Sequence, residues 1–388
     1  MQSRFITILI LALALVSGTA NAQVYRWVDK DGKVHYGDTG PSDTKAQRLP
    51  GVASPPQSPQ SPQQGTRVLS GKISAAGIFY LGDANVGIFG PSPFDNAAVD
   101  GLVLRTGWAL TEPNDDAYDW SQIDLQLDAA KRTGKAFGLA VGAGFNSPKW
   151  FLDSGATKLT VTRINAATLA QSRVVIPVPW DATFQSKWGE FLQVVAARYD
   201  GQANLSYVVI SGVGQSFEAI MVRTAEDIAA FEAAGGLPRW IEGTKAVIDL
   251  YATHFKNTPF LLSMQNPVVS AAGEQAIADV VNYGFKTYPG RFGVKYNALD
   301  ALASSRSFFY STISNWSTAT TVGFQTVWST TGAHADQMKG TLKEVLDRGI
   351  AQKGHFIEVY AADCDNPIYA DDLKQASAGL RQNAAALK

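Results

Sequence analysis

The feature that most restricts the fold of this 388-residue chain is a series of eight short apolar runs that alternate with segments of helical periodicity. The runs cover residues 77–81, 101–107, 136–141, 205–211, 260–264, 292–296, 321–327 and 356–360. Continuous apolar strands that alternate with helices indicate a parallel sheet with both faces covered. Because eight such repeats close a (β/α)8 (TIM) barrel, we predict an α/β fold of this kind over residues 72–388.

Amphipathic segments between these runs predict the helices that cover the sheet. They span residues 120–133, 183–199, 240–255, 274–283, 338–348 and 371–380. The second of them follows Asp181, a residue type that caps helix N-termini. The helices therefore fall between the predicted strands, as a barrel requires.

The N-terminus has the pattern of a secretory signal peptide. An uncharged apolar run from Phe5 to Val16 precedes Ala20-Asn21-Ala22, a small-x-small cleavage site. We predict that residues 1–22 are removed after Ala22 and that the mature protein is periplasmic or secreted. The alternative, a membrane anchor, is disfavoured because the run is short for a bilayer span, so no membrane insertion is expected of the mature chain.

Residues 23–49 predict a small β-hairpin module, because two alternating runs flank an Asp-Gly turn at residues 31–32. The spacing of its Tyr and Trp residues resembles that of a short, uncharacterised module that follows the signal peptide in many exported bacterial proteins. Residues 50–71, rich in Pro, Gln and Ser, are predicted to be a linker, since residues 50–65 contain no aromatic or charged side chain.

The composition excludes several functional classes. Lys plus Arg number 33 against 34 for Asp plus Glu, so the formal net charge of −1 provides no broad positive field for nucleic acid. No Gly-x-Gly-x-x-Gly follows the first run, and the four histidines lack metal-site spacing. We therefore expect no cofactor, no catalytic metal and no nucleic-acid partner, and the oligomeric state stays open.

Residues directly after the strands form the active site of a (β/α)8 barrel. Here the second run ends in Arg105-Thr106-Gly107-Trp108, Glu112-Pro113 and Tyr118-Asp119-Trp120 follow, and Ser147-Pro148-Lys149-Trp150 comes after the third run. In this order the phrases resemble the (β/α)8 glycoside hydrolases of the retaining superfamily, in particular β-galactosidase-like and endo-glycanase-like members. The resemblance implies cleavage of glycosidic bonds in an oligo- or polysaccharide by two carboxylates.

The resemblance also implies roles for particular residues. It requires an acid/base carboxylate after the fourth strand, a nucleophilic carboxylate after the seventh, and an Arg on the second strand that keeps the nucleophile ionised. Glu218 is the predicted acid/base, although the usual Asn-Glu pair is missing, and Arg105 matches the strand-two Arg. The seventh run carries Gln325 where a Glu is expected, and an amide is a poor nucleophile.

The eighth run offers a replacement, because Glu358 or Asp363 could supply the second carboxylate from a neighbouring position. We predict Glu358 as the second catalytic residue, with Arg105, Gln325, Asp363 and Glu112 in supporting roles. A structural role is the alternative for two of these residues: an ion pair inside the barrel for Arg105 and a loop anchor for Glu112.

Aromatic and amide side chains at the predicted strand ends are candidate sugar-binding residues, since aromatic faces stack on pyranose rings. Ordinary packing is the alternative for the tryptophans. The candidates are Trp108, Trp150, Trp180, Asn266, Tyr296, Trp328 and Tyr360.

Two functions remain. The first is an exported glycoside hydrolase that uses Glu218 and Glu358 on a carbohydrate substrate. The second is a catalytically inactive carbohydrate-binding or envelope-associated barrel, in which Gln325 marks the loss of the nucleophile. A fold alone does not decide between them, because the same barrel carries many functions.

Overall fold

The computed structural model describes residues 25–28, 34–37, 47–48, 72–82, 89–90, 92–165, 168, 170–302 and 308–387. The chain divides into two compact units, residues 1–57 and 58–388. The predicted signal peptide and the predicted linker lie outside the described residues, and the four domain boundaries stay predictions.

The first unit contains three short strands, β1 (Tyr25–Val28), β2 (Val34–Gly37) and β3 (Gln47–Arg48). β1 and β2 pair antiparallel, with Arg26 opposite Tyr36, so the predicted hairpin is confirmed. β3 pairs with the other edge of β1, which gives the strand order β2-β1-β3. The sequence analysis did not predict this third strand.

The second unit is built on a parallel barrel with one inserted hairpin. In chain order its strands are β4 (Gly77–Leu81), β5 (Gly101–Gly107), β6 (Ala136–Gly142), β7 (Lys158–Ile164), β8 (Gln171–Pro177), β9 (Leu205–Ile210), β10 (Phe260–Met264), β11 (Phe292–Leu299), β12 (Val322–Thr326) and β13 (Phe356–Tyr360). All except β7 and β8 form the closed barrel, in which β13 pairs with β4. The predicted (β/α)8 barrel is therefore confirmed, with β4, β5, β6, β9, β10, β11, β12 and β13 as its first to eighth strands.

Helices cover the outside of this barrel. They are α1 (Ser92–Asp95), α2 (Trp108–Thr111), α3 (Ser121–Thr133), α4 (Lys149–Leu152), α5 (Ala182–Tyr199), α6 (Ala225–Ala233), α7 (Gly236–His254), α8 (Ala271–Thr287), α9 (Phe308–Trp316), α10 (Leu342–Ala351), α11 (Ala361–Cys364) and α12 (Ala370–Ala384). All six predicted helices are present, and the Asp181 side chain caps α5 by accepting a hydrogen bond from the Phe184 N–H at 2.9 Å. In the part of the chain described by the structure, no helix has the length and apolar character needed to cross a bilayer.

The barrel interior is filled by aromatic rings that occupy space left by glycines. A Cβ atom on Gly138 would lie 2.4 Å from the Tyr207 ring, and one on Gly323 would lie 2.4 Å from the Phe356 ring. The Tyr207 and Phe356 rings stack on each other with centroids 4.9 Å apart. Large and small residues therefore interlock across neighbouring strands and fill the barrel interior.

The hairpin β7–β8 is an insertion between the third and fourth barrel strands. Its strands pair antiparallel from Lys158 opposite Pro177 to Ile164 opposite Gln171. Asp227 of α6 accepts a hydrogen bond from the Thr162 N–H at 2.8 Å and pairs with Arg173, which fixes the hairpin to α6. The sequence analysis missed this hairpin because it counted only the continuous apolar runs typical of a parallel sheet.

Candidate active site

Glu218 lies in the segment after β9, residues 211–222, and is the only residue of this segment that is not buried. Gly212, near the start of the segment, has φ +86°, a left-handed conformation that glycine adopts at little cost. A Cβ atom at Gly212 would also lie 2.8 Å from the Phe184 ring. The chain therefore turns sharply at the end of the fourth barrel strand and places Glu218 over the barrel mouth, the end where the carboxyl ends of the parallel strands lie.

Hydrogen bonds from neighbouring elements hold this segment in place. The Trp240 indole donates to the Val213 carbonyl at 2.7 Å, and the Gln215 N–H donates to the Ile220 carbonyl at 2.8 Å. The Met221 N–H donates to a carbonyl after β10 at 3.0 Å. Because these bonds fix the backbone on both sides of Glu218, they also fix the position from which its side chain extends.

The Glu218 carboxylate meets polar groups from other barrel strands. The Asn297 Nδ2 group, on the inner face of β11, donates to Glu218 Oε1 at 3.1 Å. The charges of Arg223 and Lys295 also interact favourably with Glu218. Glu218 is therefore a partly exposed carboxylate at the mouth, held by one neutral donor and two nearby cations.

Arg105 projects from the inner face of β5, as predicted for the strand-two Arg. Its Nη2 donates to the Gly82 carbonyl at 3.2 Å, and its guanidinium lies 5.9 Å from the centre of the Phe217 ring. Within the described residues Arg105 forms no ion pair with a carboxylate, and its buried Nε has no hydrogen-bond partner. The structural alternative for Arg105, an ion pair inside the barrel, is not found among these residues.

Gln325 and Tyr360 lie close to Arg105. The Gln325 Nε2 donates to the Tyr360 hydroxyl at 3.3 Å, and the buried Gln325 Oε1 has no partner among the described residues. Burial raises the pKa of Tyr360, and the neighbouring Arg105 charge partly opposes that shift. The Tyr360 ring lies 5.8 Å from Trp328, which stacks on His334. The structure thus brings Arg105, Gln325, Tyr360 and Trp328 together.

Glu358 occupies the inner face of β13, beside Gln325 in the register of β12 and β13. It has no exposed surface. Its Oε2 accepts from Lys295 Nζ at 2.7 Å, and its Oε1 accepts from the Tyr207 hydroxyl at 2.7 Å. Burial lowers the pKa of Lys295, and the Glu358 carboxylate opposes that shift. Glu358 is therefore one half of an ion pair inside the barrel.

The two remaining acidic candidates hold loops. Glu112 is buried and accepts from the Trp108 indole at 2.6 Å and the Asp116 N–H at 3.1 Å, and burial raises its pKa. These contacts match the loop-anchor alternative for Glu112. Asp363 is also buried and accepts from the Thr330 N–H at 3.0 Å, which ties the segment after β12 to α11.

One acidic group among the described residues has the spacing of cation ligands. The carboxylate oxygens of Glu112, Asp115 and Asp116 lie within 4.8 Å of one another. Glu112 already accepts two hydrogen bonds, and Asp115 pairs with Lys187 at 3.2 Å. Asp116 accepts a hydrogen bond from the Tyr118 hydroxyl at 3.3 Å. The protein itself therefore supplies a partner for each of these three carboxylates.

The predicted sugar-binding aromatics separate into two groups. Trp328 and Tyr360 are half-buried at the mouth, together with Asn266, whose Oδ1 has no partner in the part of the chain that the structure describes. Trp108 is fully buried and has no face available to a sugar, because it packs among the aromatic side chains of α4 and α5. Tyr296 stacks on Phe309 of α9 outside the barrel.

Trp150 and Trp180 are half-buried in loops beside the barrel. The Trp150 indole donates to the Glu112 carbonyl at 3.0 Å, and its ring packs edge-on against Trp108. Trp180 packs against Phe231 of α6 with centroids 6.0 Å apart. Both residues therefore have structural partners, although neither is fully buried.

The sequence analysis missed Lys295, Asn297 and Tyr207. Lys295 and Asn297 occupy alternate positions of β11, and alternate residues of a strand face the same side. This period-two pattern of polar residues in an apolar run was the available signal. Nothing local to Tyr207 indicates its bond to Glu358, because the contact crosses the barrel.

Two family models match parts of this chain. A family model described as β-galactosidase (Glyco_hydro_42) matches residues 102–216, from β5 to the segment that carries Glu218. A second family model, a domain of unknown function (DUF4124), matches residues 11–64. Both resemblances predicted from the sequence are thus confirmed. No curated protein matches the chain.

Several solved structures are similar to this chain at low identity. The catalytic domain of a β-amylase from Paenibacillus polymyxa is 12% identical with a TM-score of 0.46, covering 81% of this chain and 100% of that one. A psychrophilic family 10 endo-β-1,4-xylanase is 10% identical with a TM-score of 0.45, covering 74% and 85%. A β-galactosidase from the Antarctic haloarchaeon Halorubrum lacusprofundi is 10% identical with a TM-score of 0.47, covering 78% and 57%.

Proposed function

We propose that this protein hydrolyses glycosidic bonds at the mouth of its barrel, with Glu218 as the proton donor. The observation that carries the proposal is the position of Glu218, the one partly exposed side chain of a buried segment at the end of the fourth barrel strand. The β-galactosidase family match, which includes the barrel strands β5, β6 and β9 before this segment, supports the same reaction. A carboxylic acid that protonates the leaving oxygen is the group this chemistry requires there.

Glu358 is our proposed second carboxylate. Lys295 and Tyr207 donate to its two oxygens at 2.7 Å each, and these contacts fix the orientation of the carboxylate. Each oxygen keeps a further lone pair, but the carboxylate has no exposed surface. Attack on a sugar therefore requires a rearrangement that exposes the Glu358 carboxylate.

The first experiment compares leaving groups. A panel of chromogenic glycosides identifies a substrate of the purified mature chain, and Glu218→Gln is then assayed on that sugar with an activated aryl group and with a poor alkyl group. Loss of the general acid should slow cleavage of the alkyl glycoside by roughly 10²- to 10⁴-fold and that of the aryl glycoside much less.

Glu242→Gln is the matched control, because Glu242 is an exposed residue of α7. It should leave both rates unchanged. Equal rates of wild type and Glu218→Gln on both substrates would show that Glu218 is not the proton donor.

The second candidate function is carbohydrate binding without hydrolysis. It is favoured by Gln325 at the seventh strand and by the complete burial of Glu358. Binding of an oligosaccharide by calorimetry, together with no cleavage of any glycoside in the panel, would support it over hydrolysis.

We also propose that the protein is exported to the periplasm or the medium, on the strength of residues 1–22. Fractionation of cells that express the full chain, with N-terminal sequencing of the exported form, tests this. Cleavage after Ala22 is expected, and an uncleaved protein in the cytoplasm would contradict the proposal.

A further inference from the structure

Several buried polar atoms at the mouth have no hydrogen-bond partner within the described part of the chain. They are Arg105 Nε, Gln325 Oε1, Asn297 Oδ1 and Asn266 Oδ1. Buried polar atoms in folded proteins are almost always paired, so an unpaired group of this size needs an explanation. Three of the four atoms accept hydrogen bonds and one belongs to a cation. A ligand that fits them offers hydroxyl donors and one anionic acceptor.

The charges at the mouth point the same way. Glu358 is balanced by Lys295, and the Glu218 charge interacts favourably with that of Arg223. Arg105 has no carboxylate partner among the residues that the structure describes, and the side chain of Gln325 near it is neutral. Among the residues that the structure describes, the mouth therefore has an excess positive charge centred on Arg105.

We propose that the mouth binds a sugar that carries a carboxylate, such as a uronic acid residue, and that Arg105 pairs with this carboxylate. A planar guanidinium offers two parallel N–H donors that match the two oxygens of a carboxylate. The amide oxygens of Gln325, Asn297 and Asn266 accept bonds from the hydroxyl groups of the sugar. This inference deepens the proposed function, since it names the substrate class of the same mouth.

The test measures binding, so it does not depend on turnover. Calorimetry on the full chain compares a methyl glucuronide with the matching methyl glucoside, and a methyl galacturonide with the matching galactoside. Each pair differs only at C6. We expect the uronide to bind about tenfold or more tightly, because a charge-assisted hydrogen bond replaces a neutral one.

Four variants locate the effect. Arg105→Gln should remove the preference for the uronide, and Arg105→Lys should retain part of it. Gln325→Glu, which places a carboxylate near Arg105, should lower the affinity for the uronide by a larger factor than that for the neutral glycoside. Arg198→Gln is the matched control, because Arg198 pairs with Asp124 outside the barrel. A melting temperature for each variant shows whether it is folded.

Several results would overturn the inference. They are equal binding of uronide and neutral glycoside, no binding of either, or a preference that survives Arg105→Gln in a folded variant. Equally tight binding of a 6-sulfated sugar would show recognition of charge alone. Asp83, next to Gly82 in the sequence, lies outside the described residues. Tighter uronide binding by Asp83→Asn would make Asp83 the partner of Arg105.

The two proposals can fail separately. Cleavage of neutral glycosides without uronide binding would leave the hydrolase proposal standing and overturn this inference. Uronide binding that depends on Arg105, with no cleavage of any glycoside, would support this inference and overturn the hydrolase proposal.

Discussion

Substitution of either residue of the Lys295–Glu358 ion pair should strongly lower the stability of the barrel. Their side chains are 3% and 0% exposed, and their charged atoms lie 2.7 Å apart. Lys295→Met leaves the Glu358 carboxylate buried with only the Tyr207 hydroxyl as a donor. Removing one partner of a buried ion pair costs roughly 3–5 kcal/mol, so we expect this loss in the free energy of unfolding.

The double variant Lys295→Met with Glu358→Leu provides the decisive comparison. It removes both charges and keeps the volume, so its cost should be far below the sum of the two single variants, with a coupling energy of roughly 3 kcal/mol or more. Equilibrium urea unfolding followed by Trp fluorescence measures all three. Lys343→Met, which breaks an exposed pair with Asp347, should cost less than about 1 kcal/mol.

Two outcomes would refute this reasoning: single variants that lose less than about 1 kcal/mol, or a double variant as unstable as the sum of the singles. The same double variant also tests Glu358 as a catalytic group. A folded double variant that still cleaves activated aryl glycosides would exclude Glu358 from the reaction.

Three further predictions concern pH and domain structure. Burial lowers the pKa of His355 from 6.5 to about 4, so between these values the unfolded chain binds a proton and the folded protein does not. The free energy of unfolding should therefore fall by roughly 2 kcal/mol from pH 7 to pH 5 in wild type but not in His355→Gln. Burial raises the pKa of Glu112 above 4.5, so the free energy of unfolding should fall as pH rises from 4.5 through the pKa of the folded protein. Glu112→Gln should reduce this pH dependence in urea titrations. Deletion of residues 23–65 should leave the melting temperature of the barrel almost unchanged, and a large drop would show that the hairpin is part of the core.

The barrel strands were predictable because strands buried on both sides are apolar without interruption. β4, β5, β10 and β13 begin and end where their apolar runs do. The helix α9 was not predicted, because its sequence Phe308–Trp316 is rich in aromatic and β-branched residues, which favour strands. Its packing against the barrel, with Tyr296 stacked on Phe309, overrides that preference.

The site was less predictable than the fold. Position along the strands indicated Arg105, Glu218 and Gln325, because strand ends meet at one mouth. The partners of these residues come from across the barrel, and they depend on the stagger between strands. The bond between Lys295 and Glu358, for example, joins residues 63 apart in sequence. Local pattern contains no information on such a contact.

The interlocked glycines and rings of the barrel interior have a consequence for the evolution of this chain. A side chain at position 138 would overlap the Tyr207 ring, and one at position 323 would overlap the Phe356 ring. Neither glycine can therefore be replaced alone without strain, while a smaller residue at 207 or 356 would make room for it. In relatives that keep this barrel, positions 138 and 207 should covary, as should 323 and 356, so an alignment of such sequences would recover these two contacts without any structure.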